Sequence, residues 1–208
     1  MIITYFGKEF FKIAQGETVI AVNPISKESK YTGKIARFGS SIMLSTTNHR
    51  DYNGLDTVTY GEQVPIAITG PGDYEIKEIF IKGTNTKTTL DSKEYVNSPY
   101  SIKIDGITIA FLGPLSKPLS AEERDGLESP DILFVPVSSN LLSPAAAYKL
   151  AVSLEPAIII PMDYTDVELK AFLKEAGEEK ISPLDKLVIK RKDLENKEGE
   201  VVVLEITQ

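Results

Sequence analysis

The sequence predicts an α+β fold in which β-sheets carry helices on their outer faces. Three observations lead there. The first hundred residues read almost entirely as short strands cut by Gly, Pro, Asn and Ser turns. After residue 113 strand-like and helix-like segments alternate. Each helix-like segment also opens on a start signal of its own, at Ser120, Ser143-Pro144 and Thr165.

The front half offers strands at 2–6, 9–14, 18–23, 41–45, 56–60 and 65–69. Asp73 to Lys82 alternates apolar and polar residues over part of its length, the period of a half-buried antiparallel strand. Segments 100–105 and 107–112 flank Asp105-Gly106, a strong hairpin signal. Ser120-Ala121-Glu122-Glu123 fits a capping box. Asp131 to Val137 is apolar throughout, as a strand buried on both faces should be. Ser143 places an N-cap before Pro144, opening a helix to about Leu154. Ala157 to Pro161 is a second continuous apolar strand, and Thr165 to Glu168 a second capping box whose helix ends near Gly177. Strands near 187–190 and 200–207 bracket a polar turn at 196–199, so the charge-rich stretch from Lys186 to Glu200 reads as a hairpin surface. The 208 residues are expected to form one domain, 1–208.

Lys and Arg number 23 against 30 Asp and Glu, a formal net charge of −7, which argues against nucleic acid or an anionic membrane as the main partner. The chain has no cysteine, hence no disulfide, thiol nucleophile or thiolate metal site, in keeping with a reducing compartment. Met1 to Phe6 lacks the features of a signal peptide, and no apolar run approaches the roughly 20 residues that span a bilayer. A soluble cytoplasmic protein is expected. There is one histidine, His49. A catalytic zinc needs three protein ligands, so one histidine without cysteine makes a histidine-built site untenable.

Several stretches resemble the metallo-β-lactamase superfamily, in particular its branch of ascorbate-6-phosphate lactonase-like zinc-dependent hydrolases. They are Ile3-Thr4-Tyr5-Phe6-Gly7 with Phe10 to Ile13, Thr18 to Pro24, Gly70-Pro71-Gly72-Asp73-Tyr74-Glu75-Ile76, Asp131 to Val137, and Glu155 to Tyr164. The resemblance spans nearly the whole chain in order, and implies a four-layer αβ/βα sandwich of two mostly antiparallel sheets with outer helices. Active relatives carry His-x-His-x-Asp-His on the loop after a strand. Here Thr47-Asn48-His49-Arg50-Asp51-Tyr52 follows Ile42 to Thr46, so only His49 and Asp51 match. The bridging aspartate expected after the Phe-Leu-Gly strand is replaced by Pro114, and the histidine of Pro-Met-His-Tyr by Asp163. Thr47, His49, Asp51, Tyr52, Pro114 and Asp163 are therefore expected to line a vestigial cleft, with no catalytic residue, metal ligand or cofactor assigned.

Alternatives stay open at these positions. His49 with Asp51 suits an oriented imidazole or a loop hydrogen bond. Asp51 and Asp163, with Thr47, suit a hard cation such as Mg²⁺ or Ca²⁺. Lys8 or Arg50 can pair with Asp51 or Asp163 and replace the metal's charge, or lie solvated on the rim. Gly70-Pro71-Gly72 is a turn rather than a phosphate loop, with Gly72 free to take positive φ. Two functions follow from the resemblance, which also implies a homo-oligomer: a non-catalytic member that binds a small ligand or a protein, or a divergent metal-dependent hydrolase of a small phosphorylated or lactone-like substrate.

Overall fold

The computed structural model describes residues 1–207. Its first sheet is built from β1 (Ile2–Tyr5), β2 (Phe11–Gln15), β3 (Thr18–Val22), β4 (Ile42–Leu44) and β5 (Ile66–Ile68), with β14 (Leu187–Val188) at the outer edge beside β1. The second holds β6 (Gly72–Ile76), β7 (Ile79–Gly83), β10 (Tyr100–Ile104), β11 (Ile107–Phe111), β12 (Ile132–Pro136), β13 (Ile158–Met162) and β15 (Glu200–Val201). Its order is β15-β13-β12-β11-β10-β7-β6. A separate hairpin pairs β8 (Thr86–Leu90) with β9 (Lys93–Asn97). The helices are α1 (Leu55–Val58), α2 (Ala121–Asp125), α3 (Pro144–Ser153) and α4 (Asp166–Ala176). Among the described residues no helix is long and apolar enough to cross a membrane.

Side-chain alternation makes the sandwich. Phe11, Ile13, Ile20, Val22, Ile42 and Leu44 point from the first sheet into a shared core, where they meet Ile102, Ile109, Phe111, Phe134 and Ile160 of the second. The Phe11 ring stands edge-on to Phe134, with centroids 4.7 Å apart. In β12, Ile132 and Phe134 face this core while Leu133 and Val135 face α3 and α4. Burial on both faces is what makes that strand apolar throughout.

The α+β sandwich expected from sequence is present, with differences that have physical causes. Both sheets are mixed rather than mostly antiparallel. β3, β4 and β5 run parallel in the first sheet, and β11, β12, β13 and β15 run parallel in the second. In the second sheet the crossovers through α2 and α3 join β11 to β12 and β12 to β13 as parallel neighbours. The first sheet is covered not by a full helix layer but by the irregular segment 24–40 and the one-turn α1. Phe38 stacks on Phe10 there, and Phe6, Ile25, Met43 and Val58 complete the cluster.

The expected strand at 56–60 is α1, with Thr57 and Val58 buried. The expected single strand 73–82 is the β6–β7 hairpin, turning on Lys77 and Glu78 at φ of 51° and 63°. The expected C-terminal hairpin does not form, because β14 joins β1 and β15 joins β13, in different sheets. The Asp105-Gly106 hairpin, both capping boxes and the left-handed Gly177 cap are present.

Candidate functional site

The site lies where strands of both sheets end, a common place for sites in α/β frameworks. Past β1, Gly7 and Lys8 take φ of 96° and 49° to turn the chain into β2. Past β13, Asp163 takes φ of 50°. Its backbone N–H donates to the Lys8 carbonyl at 2.8 Å and to the Tyr5 hydroxyl at 3.3 Å, tying one sheet to the other. Tyr5 in turn donates to the same Lys8 carbonyl at 2.8 Å. Non-glycine residues in the left-handed region are held there by their surroundings, and here two of them face each other.

The loop after β4 supplies the rest. Asp51 accepts from the Lys8 ammonium at 3.0 Å and from the Ser29 hydroxyl at 2.5 Å. The two charged side chains are only 24% and 17% exposed. His49 Nδ1 accepts from the Asp51 backbone N–H at 3.3 Å, which leaves Nε2 to face Asp91 at 3.4 Å. Arg50 also reaches Asp91, at 3.3 Å, and so turns away from Asp51 and Asp163. Lys8, His49, Asp51, Tyr52 and Asp163 line one cavity of about 480 Å³, together with Tyr164 and Glu168.

Thr47 and Pro114 are buried and do not line it. The Thr47 hydroxyl donates to Asn97 Oδ1 at 3.2 Å. Beneath the wall, Asn23 donates to Glu9 Oε2 at 2.8 Å and to Thr46 Oγ1 at 2.9 Å, and accepts from the Thr46 backbone N–H. Gly113, at φ 66°, presses on this floor: a Cβ there would stand 2.4 Å from Asn97 Oδ1 and 2.6 Å from Thr46 Oγ1. Among the described residues, no three His, Cys, Asp or Glu side chains come together to hold a metal ion.

The electrostatics follow from burial and from the excess of carboxylates. Burial pulls the Lys8 ammonium down, but Asp163 and Asp51 more than offset this and hold it above the ordinary lysine value. Burial works against Asp51 too, yet Ser29 and Lys8 keep it below the usual aspartate value. Asp163 is raised by burial and, against the pull of Lys8, by Asp51 and Glu168. Glu9, wholly buried, is pushed well up by burial and then by Asp163. Burial likewise raises Tyr52, followed by the charges of Glu9 and Asp163, so its phenol stays neutral.

Sequence reasoning missed Glu9, Asp91 and Tyr5 as parts of this site. Glu9 carried one signal, a carboxylate set inside the aromatic run from Phe6 to Phe11. Asp91 sits at the tip of the β8–β9 hairpin, which was not recognised at all.

Comparison with known proteins bears on the fold. No curated protein matches the chain. A solved structure of a candidate Zn-dependent hydrolase of the metallo-β-lactamase superfamily from Thermotoga maritima is 23% identical, with a TM-score of 0.75 over 98% of each chain. A candidate metal-dependent hydrolase from Parabacteroides distasonis is 19% identical, with a TM-score of 0.65 over 99% of this chain and 93% of that one. A metallo hydrolase from Ignicoccus hospitalis is 18% identical, with a TM-score of 0.63 over 100% and 96%. At these identities the likeness speaks for the fold. A sequence profile described as "Beta-lactamase superfamily domain" matches residues 2–163, from β1 to the residue that follows β13 and lines the cavity. With most of its length inside that match and its strands ordered as a metallo-β-lactamase-type sandwich, the chain belongs to the β-lactamase superfamily domain family.

Proposed function

We propose that this protein is a non-hydrolytic member of its family that binds a small molecule in the cavity at the strand ends. The observation that carries the reading is the Lys8–Asp51 pair at 3.0 Å. The carboxylate shared with the family's metal motif is held by an ammonium and a hydroxyl instead of facing the cavity free.

The remaining side chains do not fit a catalytic zinc, which takes three protein ligands and an open position. Thr47 is turned to Asn97, and His49 is turned to the Asp51 backbone and Asp91. Tyr52 is a neutral phenol, and Pro114 offers no side-chain donor atom. Lys8 supplies positive charge where Asp51, Asp163 and Glu9 would otherwise repel, and a hydrophobic or neutral residue in its place would leave them uncompensated. The resemblance to the ascorbate-6-phosphate lactonase-like branch belongs to the same proposal, as a statement of descent.

Turnover tests the reading. The protein, supplemented with zinc or manganese, is assayed on a lactone, a phosphodiester and a thioester probe. No turnover above that of the Asp51→Ala variant is expected. Hydrolysis that Asp51→Ala and His49→Ala both abolish would replace the proposal with the divergent hydrolase.

A further inference from the structure

The charges that face the cavity are unevenly satisfied. Asp51 holds Lys8 and Ser29, and Asp91 holds Arg50 with the His49 ring beside it. Glu168 closes the α4 capping box and also accepts the Ser139 backbone N–H at 2.5 Å. Asp163 differs. Its backbone is fixed by Lys8 and Tyr5, yet among the described residues no cationic nitrogen lies within 4.0 Å of its carboxylate.

A second observation points the same way. Glu9, behind that wall, is 0% exposed, and its Oε1 has no hydrogen-bond partner among the described residues. A buried carboxyl oxygen without a donor is costly and therefore rare. The groups Glu9 acts on are the wall itself: Asp163, Lys8 and Tyr52. Burial is the first cause of the raised proton affinity of Glu9 and Asp163, and Lys8 is the one ammonium that lines the cavity beside them.

We infer that the cavity binds a small organic ammonium compound, its cationic head docked on the Asp163 carboxylate beside Tyr52 and Tyr164. Resting on the proposed ligand-binding role, this names the class of ligand. Aromatic side chains favour such a head, and the Tyr52 ring already has the Lys8 ammonium 5.8 Å from its centroid. The 480 Å³ volume lies in the range of small-molecule sites. An anion is disfavoured, because Lys8 is engaged with Asp51 and four carboxylates line the cavity.

The test is calorimetric titration of the full chain, dialysed against chelator, with butylamine and choline, and with phosphate and acetate in parallel. Saturable binding of an amine is expected, weakened about tenfold or more by Asp163→Asn. Glu128→Gln, outside the cavity and paired with Lys103, should leave it unchanged. Because Asp163→Asn removes a charge the fold itself disfavours, it should fold; Tyr164→Leu provides a second variant that should weaken the amine. Absence of saturable amine binding, or binding of the anions in its place, would overturn the inference. These outcomes are separate from hydrolytic turnover, which alone decides whether the protein is an enzyme.

Discussion

Replacing Lys8 by Met removes the ammonium while keeping most of the side chain's apolar length. The pair it breaks is neither a surface pair nor a fully buried one, at 3.0 Å with side chains 24% and 17% exposed. Exposed pairs contribute about 0.2–1 kcal/mol, and removing one partner of a buried pair costs about 3–5 kcal/mol. Between these limits the expected loss is about 2 kcal/mol. For a chain of this size that is about 4–8 °C in melting temperature.

The pH dependence of the loss follows from the sign of the Lys8 shift. Its folded pKa is raised above 10.5, so its contribution is complete below that value and is lost as pH rises through the higher folded one. Asp51 stays ionised to below its usual 3.8. The deficit of Lys8→Met should therefore be flat between pH 6 and 9. The assay is thermal and urea unfolding of wild type, Lys8→Met, Asp51→Asn and the double variant. A coupling energy of about 1 kcal/mol or more is expected for contacting residues. A Lys8→Met protein as stable as wild type at pH 7, with no coupling to Asp51, would refute the charge-compensation argument.

Three further perturbations test its surroundings. Glu9→Gln keeps an oxygen to accept from Asn23 and removes a carboxyl whose folded pKa lies well above 4.5. The wild-type group favours the fold below 4.5 and loses that contribution as pH rises through its folded value, so the variant should melt higher at pH 7.5 and converge with wild type near pH 4. Gly113→Ala forces a Cβ onto Asn97 and Thr46 at a left-handed φ, and should cost about 2–5 kcal/mol in chemical denaturation from strain and overpacking together. Thr165→Ala removes the N-cap of α4 and should cost about 1 kcal/mol, read by the same unfolding assay. Its partner Glu168, brought down to about 2 by the backbone N–H groups of Ser139 and Thr165 against the effect of burial, should titrate closer to its ordinary value in that variant.

The elements most legible in the sequence were those whose local chemistry agrees with their packing. Ser120 and Thr165 meet capping boxes, Gly177 closes a helix in the left-handed region, and Asp105-Gly106 turns a hairpin. Where local signal was absent, the reading failed. Lys77-Glu78 and Asp91-Ser92 both turn at positive φ with no glycine to mark them. The β8–β9 hairpin is rich in Thr and Lys, and so lacks an apolar period over part of its length. At 56–60 a short stretch with one buried valine fits a strand and a helical turn equally well.

The site was legible only as a set of residue types. His49, Asp51, Lys8 and Asp163 could be named from the sequence, but which cation would meet which carboxylate depended on how loops from two sheets close on each other. Glu9 was invisible for the same reason. Its role comes from burial against Asn23 and from nearness to Asp163, a residue 154 positions later in the chain.

The proposal's central claim is that Asp51 is committed to the Lys8 ammonium and that the cavity does not hold a catalytic zinc. Elemental analysis of protein purified without chelator, followed by calorimetric titration with zinc, tests it most directly. The account predicts well under one equivalent of zinc as purified, and no saturable binding that depends on His49 or Asp51. One or more equivalents of zinc, lost in both His49→Ala and Asp51→Ala, would contradict it.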